Sequence, residues 1–363
     1  PIVSTPAFPP ENAFAVVLAG GQGRRLWPLS RPTWPKPFLP LFPGDRAPLA
    51  ETLARLAPLL PPERILVVVE EAHRAPALSL LPPGARLLCE PWGRGTAAAL
   101  GLAAVHLAAL APGATVVAIP ADKWVEAGSP YEEDLRAALV LAAAGEFVLV
   151  GTEALEPATG YGYLLPGHAV RSVGGRPVFR LEGFVEKPDR QRAAELVDRG
   201  SLWHAGLFAF SPGEFLAVLR FFQPRLGEAL ARVGAALGSV DYEVVLRKAW
   251  RELAPVSLEE GLFTRDPHRL LVVRGTHRWL DLGTWDALRR TALATGKENA
   301  VCGRTVLIDC EGCLIRAEGG RPVAALGLRD LVIVDTPVAL LVMAPDRGEE
   351  VRRVAAIITR EEM

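Results

Sequence analysis

Between Phe14 and Phe38 the chain reads FAVVLAGGQGRRLWPLSRPTWPKPF, and this stretch limits the fold more than any other. The apolar run AFAVVLA (13–19) reads as a buried strand. It runs into Gly20, Gly21 and Gly23, where backbone amides can approach an anion and adopt positive φ. Arg24, Arg25, Arg31 and Lys36 follow, and Pro28, Pro32, Pro35 and Pro37 then forbid a helix. Two phosphate loops that feed a helix are thereby excluded. A Walker loop counted from Gly20 needs Gly-Lys-Ser/Thr where Arg25-Leu26-Trp27 stand. A dinucleotide fingerprint counted from Gly21 meets Leu26 at its third glycine. What remains is an extended cationic loop that wraps polyphosphate without a helix dipole, with Arg25 and Lys36 supplying the charge.

Downstream, apolar strands alternate with helical segments. RILVVVE (64–70), TVVAI (115–119) and FVLVG (147–151) read as strands. ETLARLAPLL (51–60), GTAAALGLAAVHLAALA (95–111) and EEDLRAALVLAAA (132–144) read as helices. The alternation predicts an α/β sheet with helices on both faces. YGYLLP (161–166) and VFRLEGFVEKP (178–188) read as strands of a substrate-side layer, with helices near 190–199, 212–222 and 241–252 and a strand at 269–275. After Asn299 the texture changes to short β-prone runs punctuated by glycine. Two domains follow, 1–298 and a small all-β 299–363.

Bulk properties narrow the function classes. Lys and Arg total 40 against 41 Asp and Glu, so no net charge draws the chain to nucleic acid or an anionic membrane. No apolar run reaches the roughly 18 residues that span a bilayer. The N-terminal PIVSTPAFPPENA lacks the features of a signal peptide, and four cysteines make no disulfide framework, so a cytoplasmic protein is expected. Cys310-x-x-Cys313 lacks the four ligands of a structural zinc site, because only Cys302 is near and no histidine follows His277. These cysteines are expected in the core of the β appendage. Only five cations are lysines, Asn, Gln and Met are scarce, and Pro numbers 32, a balance expected of a heat-stable protein or a GC-rich genome.

LAGGQGRRLWPLSRPTWPKPF resembles the signature loop of the sugar-1-phosphate nucleotidyltransferases. Further blocks match in the family's order. EPWGRGTAAAL (90–100) is similar to its base-recognition segment, and IPADK (119–123) to a strand end bearing a metal-binding aspartate. TGYGYL (159–164), FVEKP (184–188) and WHAGLFAF (203–210) resemble its sugar-phosphate pocket. PVSLEEGLF (255–263) resembles a further substrate segment, and WLDLGTW (279–285) the segment of a second metal aspartate. The resemblance implies a Rossmann-like, glycosyltransferase-A-like mixed sheet and a small C-terminal left-handed β-helix-like domain that can help form a homodimer.

The resemblance also implies roles. A sugar-1-phosphate oxygen attacks the α-phosphorus of a nucleoside triphosphate and releases pyrophosphate, so catalysis reduces to alignment and charge neutralisation. Arg25, Lys36, Asp122 and Asp281 are the implied catalytic residues, with Asp122 and Asp281 holding Mg2+. Leu18, Ala19, Gly20, Gly21, Gly23, Arg25, Lys36, Glu90, Gly93 and Thr96 would bind nucleotide. Gly162, Glu186, Lys187 and His204 would bind the sugar phosphate. Glu186 either accepts from sugar hydroxyls or pairs with Lys187 at a strand edge, and His204 either contacts sugar or packs without contact.

Within the family, LWPLS and the spacing of PK-x-F resemble the guanylyltransferase branch, which implies GTP and mannose 1-phosphate as substrates. Departures fall near base and sugar: Arg24 for Thr, Gly95 for Asn, Lys123 for His, His204-Ala205 for Asn-Ser, and Leu258-Glu259 for Ile-Asp. A thymidylyl- or uridylyltransferase using glucose 1-phosphate, and an inactive sugar-nucleotide-binding subunit, are the alternatives. The residues after Asn299 are too few for the isomerase domain of bifunctional relatives.

Overall fold

The apolar run after residue 12 is strand β1 (Ala13–Leu18), buried along nearly its whole length and flanked on both sides by parallel neighbours. The chain is known as a computed structural model that describes residues 12–361 apart from 22, 43, 127 and 295. All but the last two residues of the N-terminal segment read for a signal peptide, and Gln22 of the glycine loop, lie outside the described residues. So do the last residues of the domain expected at 299–363.

The next strands are β2 (Ile65–Glu70), β3 (Arg86–Glu90), β4 (Thr115–Pro120), β5 (Lys123–Val125) and β6 (Phe147–Glu153). They are followed by β7 (Gly162–Val173), β8 (Arg176–Glu186), β9 (Leu202–Phe210), β10 (Leu270–Arg274) and β11 (Trp279–Asp281). Nine form one mixed sheet in the order β3-β2-β1-β4-β9-β6-β10-β8-β7, and β5 pairs with β11 in a separate ribbon. Strand order reverses between β1 and β4, the switch point where open α/β sheets bind ligands. There Ala121 N donates to Leu18 O at 3.0 Å, so the glycine loop and Asp122 leave adjacent strand ends.

The strands read as a substrate-side layer belong to this sheet. β10 pairs parallel with β6 and antiparallel with β8, so the long β7–β8 hairpin extends the same surface. Its turn, Gly174-Gly175, has positive φ at both residues, as a two-residue hairpin turn of the right twist requires. Helix Thr96–Leu110 is buried on almost every side because it lies against the sheet and under helices Pro212–Phe222 and Pro224–Ala235. At Gly101 a Cβ would stand 2.6 Å from Leu230 Cδ1, so a small residue sets that helix approach.

Residue contacts divide the chain into two compact units. The first takes the chain up to Gly20, Thr52–Ala121 and Val125–Trp279, and holds the nine-stranded sheet. The second takes Gly21–Glu51, Asp122–Trp124 and the chain from Leu280 on. In it β12 (Ala300–Gly303), β13 (Thr305–Ile308), β14 (Leu314–Ala317), β15 (Val323–Leu326), β16 (Val332–Asp335) and β17 (Leu340–Met343) are all short. They stack as rungs in two sheets, β12-β14-β16-β17 and β13-β15, every pair parallel except β16–β17. This is a β-helix-like arrangement. At the last residue of β12, Gly303 has φ 84° and a Cβ would lie 2.1 Å from Ala317 O, so only glycine fits. The chain then enters helix Val351–Glu361, which the β reading of the C-terminus did not foresee.

Two clusters fill the second unit. Cys310 and Cys313 are buried with Ile315, Ala325 and Ile333, and both are free thiols, as core residues should be. Leu26, Leu39, Leu41 and Phe42 from the cationic loop pack with Leu282, Trp285, Leu314, Val332, Val334, Leu341, Met343 and Val351. Each large apolar side chain so buried contributes about 1.5–3 kcal/mol. The loop is therefore an outer layer of the β module. Arg316 Nη2 donates to Pro40 O at 2.8 Å and Trp285 Nε1 to Trp27 O at 2.9 Å, fixing its backbone. Among the described residues no helix is long and apolar enough to cross a membrane.

Candidate active site

Three segments of the second unit converge on one nitrogen. Lys36 opens the short 3-10 turn Lys36–Phe38, Asp122 follows β4, and Asp281 ends β11. Lys36 Nζ donates to Asp122 Oδ2 at 3.0 Å and to Asp281 Oδ1 at 2.7 Å. The lysine is only 4% exposed. Burial pulls its pKa down, but the charges and hydrogen bonds of Asp122 and Asp281 outweigh this and hold it above the ordinary lysine value. Burial likewise pushes Asp281 up, while Lys36, Lys123 and Arg25 together hold its carboxyl below the usual range.

Arg25 lies in the turn Arg24–Leu26, so the loop expected to be extended carries two single 3-10 turns. Each is closed by a local i to i+3 bond, Leu26 N to Gly23 O at 2.8 Å and Leu39 N to Lys36 O at 3.2 Å. The arginine rests on Gly283, where a Cβ would be 2.7 Å from Arg25 Nη2 and 3.0 Å from Asp281 Oδ2. Gly23 has φ 58° and a Cβ there would be 2.6 Å from Lys36 Cβ. Gly20 and Gly21 differ: a Cβ on either would meet nothing within 4 Å, and Gly21 has φ 123°. Open space over exposed amides is what close approach of an anion needs.

The donor set suits a hard divalent cation. Two carboxylates converge on one cationic atom, and among the described residues no group of three or more His, Cys, Asp or Glu gathers to hold a metal. A cation bound here would draw its other ligands from phosphate oxygens and water, the habit of Mg2+.

In the first unit the other candidate residues fall into two groups. Leu18 ends β1, and Ala19 and Gly20 follow it. Glu90 ends β3, 5% exposed, and accepts from Trp250 Nε1 at 3.2 Å. Burial, opposed by the Trp250 bond and reinforced by the Glu70 charge, pushes it up to about 7. Thr96 Oγ1 accepts from Leu258 N at 2.9 Å, and Arg94 Nε donates to Trp250 O at 2.8 Å. Gly95 has φ 87° and a Cβ would lie 2.2 Å from Val256 O, so the close approach of the segment at 254–258 demands glycine. Gly93 is also confined, its Cβ site being 2.9 Å from Glu70 Oε1.

In the second group, Gly162 pairs with Glu186 across β7 and β8, and a Cβ there would stand 2.8 Å from Glu186 Oε2. Lys187 has φ 46° and donates to Glu186 Oε1 at 2.5 Å. His204 on β9 sits edge-to-face against Phe184 and Phe263, each at 5.7 Å between ring centres. Glu259 belongs with this group, since burial raises its pKa and the Glu186 charge adds to the rise.

Several residues that shape the site carry no sequence signal of their own. Buried Asp134 accepts from Thr276 N at 2.8 Å, His277 N at 3.1 Å and His277 Nδ1 at 2.7 Å, fixing the loop that leads into β11 and Asp281. Trp250 and Glu349 were likewise unforeseen. Arg94 and Gly283 stood inside recognised blocks without an assigned task.

Residues 14–298 match the family described as nucleotidyl transferase, and residues 303–356 match the MannoseP isomerase/GMP-like beta-helix domain. The mannose-1-phosphate guanylyltransferase of Escherichia coli is 33% identical over 354 residues, covering 96% of this chain and 74% of that protein. The alginate biosynthesis protein AlgA of Pseudomonas aeruginosa is 32% identical over 348 residues, covering 93% and 70%. A crystal structure described as mannose-1-phosphate geranyltransferase from Thermus thermophilus shares 37% identity, with a TM-score of 0.84 over 97% of this chain and all of that one. With its mixed sheet and rung-like C-terminal strands, the chain belongs to the nucleotidyl transferase family, with a β-helix module following the transferase module.

Proposed function

We propose that the protein transfers GMP from GTP to α-D-mannose 1-phosphate, forming GDP-mannose and pyrophosphate. The observation that carries the reading is the convergence of Lys36, Asp122 and Asp281 in a chain similar over 96% of its length to a mannose-1-phosphate guanylyltransferase.

An oxygen of the sugar phosphate attacks the α-phosphorus, one P–O bond forms, and the bond to the β-phosphate oxygen breaks. The electron pair leaves with pyrophosphate, so no side-chain nucleophile is needed. The amides at Gly20 and Gly21 receive triphosphate oxygens in the open space above them, while Gly23 leaves room for Lys36. Arg25 and Lys36 neutralise the triphosphate, and Glu90, Gly93 and Thr96 with the ends of β1 frame the nucleoside. Gly162, Glu186, Lys187 and His204 hold the sugar phosphate. Asp122 and Asp281 would hold Mg2+, which supplies charge neutralisation at the phosphates when bound.

The seam between 298 and 299 separates the transferase and β-helix sequence modules. We place the protein in the cytoplasm, where GTP is drawn upon, as a heat-stable homodimer. A matrix of nucleoside triphosphates against sugar 1-phosphates, scored by pyrophosphate release, tests the reading. GTP with mannose 1-phosphate should be the best pair. Preference for dTTP or UTP with glucose 1-phosphate would overturn it, and no turnover with any pair would make the chain a binding subunit.

A further inference from the structure

Arg25 is held from two sides within the second unit. Its Nη2 faces Gly283 beside Asp281, and its Nη1 donates to the Glu349 carboxylate. Glu349 lies in the short segment Pro345–Glu350. Gly348 approaches Thr284 so closely that a Cβ would be 3.2 Å from Thr284 Cβ. Thr284 in turn caps helix Trp285–Leu293 by accepting from Ala287 N at 3.2 Å. On the other side, Val351 is buried in the core that contains Leu26, the neighbour of Arg25. A carboxylate is thus delivered from the end of the β module to the arginine of the phosphate loop, with backbone anchored on both flanks.

The exposure of the pair decides what it does. The Arg25 and Glu349 side chains are 36% and 60% exposed. Ion pairs this wet contribute little to folding stability. An arginine, however, loses several rotatable bonds' worth of freedom when it clamps a phosphate, and a partner already holding Nη1 removes part of that cost. Guanidinium has five N–H donors, so one engaged by Glu349 leaves others for phosphate oxygens. We propose that Glu349 is a positioning residue for nucleotidyl transfer, orienting the Arg25 guanidinium for the triphosphate. This rests on the assignment of Arg25 to the triphosphate made above.

The test is GTP affinity by calorimetry with Mg2+ and without sugar phosphate. Glu349→Ala should weaken the Kd for GTP about 3- to 10-fold, the scale of ordering one long side chain. Its melting temperature should stay within about 2 °C, as for loss of an exposed ion pair. Glu349→Asp should recover most of the affinity. In an Arg25→Ala background, Glu349→Ala should add nothing, because the two residues act as a unit. An unchanged or tighter Kd for Glu349→Ala, or the same loss in both backgrounds, would overturn the proposal while leaving Arg25 in place. If Arg25→Ala alone leaves GTP affinity unchanged, the assignment of Arg25 itself is wrong and the role of Glu349 falls with it.

Discussion

Lys36 Nζ donates to Asp281 Oδ1 at 2.7 Å although 245 positions separate the two residues. Asp122 shares the same ammonium at 3.0 Å. A buried lysine is tolerated here because two carboxylates compensate it, and neither acid can be altered without disturbing the others.

Asp281→Asn should cut turnover by at least about a hundredfold, the scale of losing an electrostatic stabiliser. The stability cost should be smaller, about 1–2 kcal/mol, because Asp122 still pairs with Lys36 and Asp281 is partly solvated. Since the folded-state pKa of Asp281 is depressed, its stabilisation is present above the unfolded value of 3.8 and is lost as pH falls below it. Near-normal Mg2+-dependent turnover in the variant would reduce Asp281 to a structural loop residue.

The loop glycines should separate into two kinds. Gly23→Ala must adopt φ near 58° and push against Lys36 Cβ, so it should destabilise the protein by about 1–3 kcal/mol. Gly20→Ala meets open space and should fold with stability within about 0.5 kcal/mol of the parent. Its KM for GTP should nevertheless rise, because the added methyl stands where phosphate approaches. Thermal melts and GTP kinetics on both variants decide; a Gly20→Ala enzyme with unaltered KM would argue against anion approach there.

Glu90 should make stability fall with rising pH. Its folded pKa of about 7 exceeds the ordinary value of 4.5, so the folded state binds the proton more tightly than the unfolded one. Its contribution is complete below about 4.5 and is lost as pH rises to about 7, with roughly 3 kcal/mol as an upper bound. Glu90→Gln should flatten this slope in melts taken from about pH 4.5 to 8. Parallel curves for the two proteins would show that Glu90 titrates elsewhere.

Ending the chain at Glu298 removes Leu314, Val332, Val334, Leu341, Met343 and Val351 from the core that holds Leu26, Leu39, Leu41 and Phe42. The truncated protein should bind an apolar-surface dye and lose at least about tenfold in GTP affinity, because its phosphate loop has lost the layer beneath it. Unchanged GTP binding by calorimetry would show that the loop keeps its shape without the β module.

The sequence by itself determined what depends on neighbours in the chain. Apolar runs with turn residues at their ends specify β1, β2, β4 and β6, and proline excludes a helix after the glycine loop. Motif spacing identified the family, because the blocks keep their order along the chain. The pairing of β10 with both β6 and β8, which joins the substrate-side strands to the central sheet, depends on strand contacts that no local pattern encodes. Helix Pro224–Ala235 went unread because Gln223-Pro224 and two internal glycines look like a loop, whereas packing against helix Thr96–Leu110 stabilises it. Gly95, read as a departure near the base, is required by a carbonyl oxygen at Val256, 161 positions away. Only the tertiary structure decided that Lys36 lies between Asp122 and Asp281 and that Glu349 reaches Arg25. Charge pairs between distant segments leave no periodicity in sequence, and their geometry exists only once sheet order and core packing have brought the segments together.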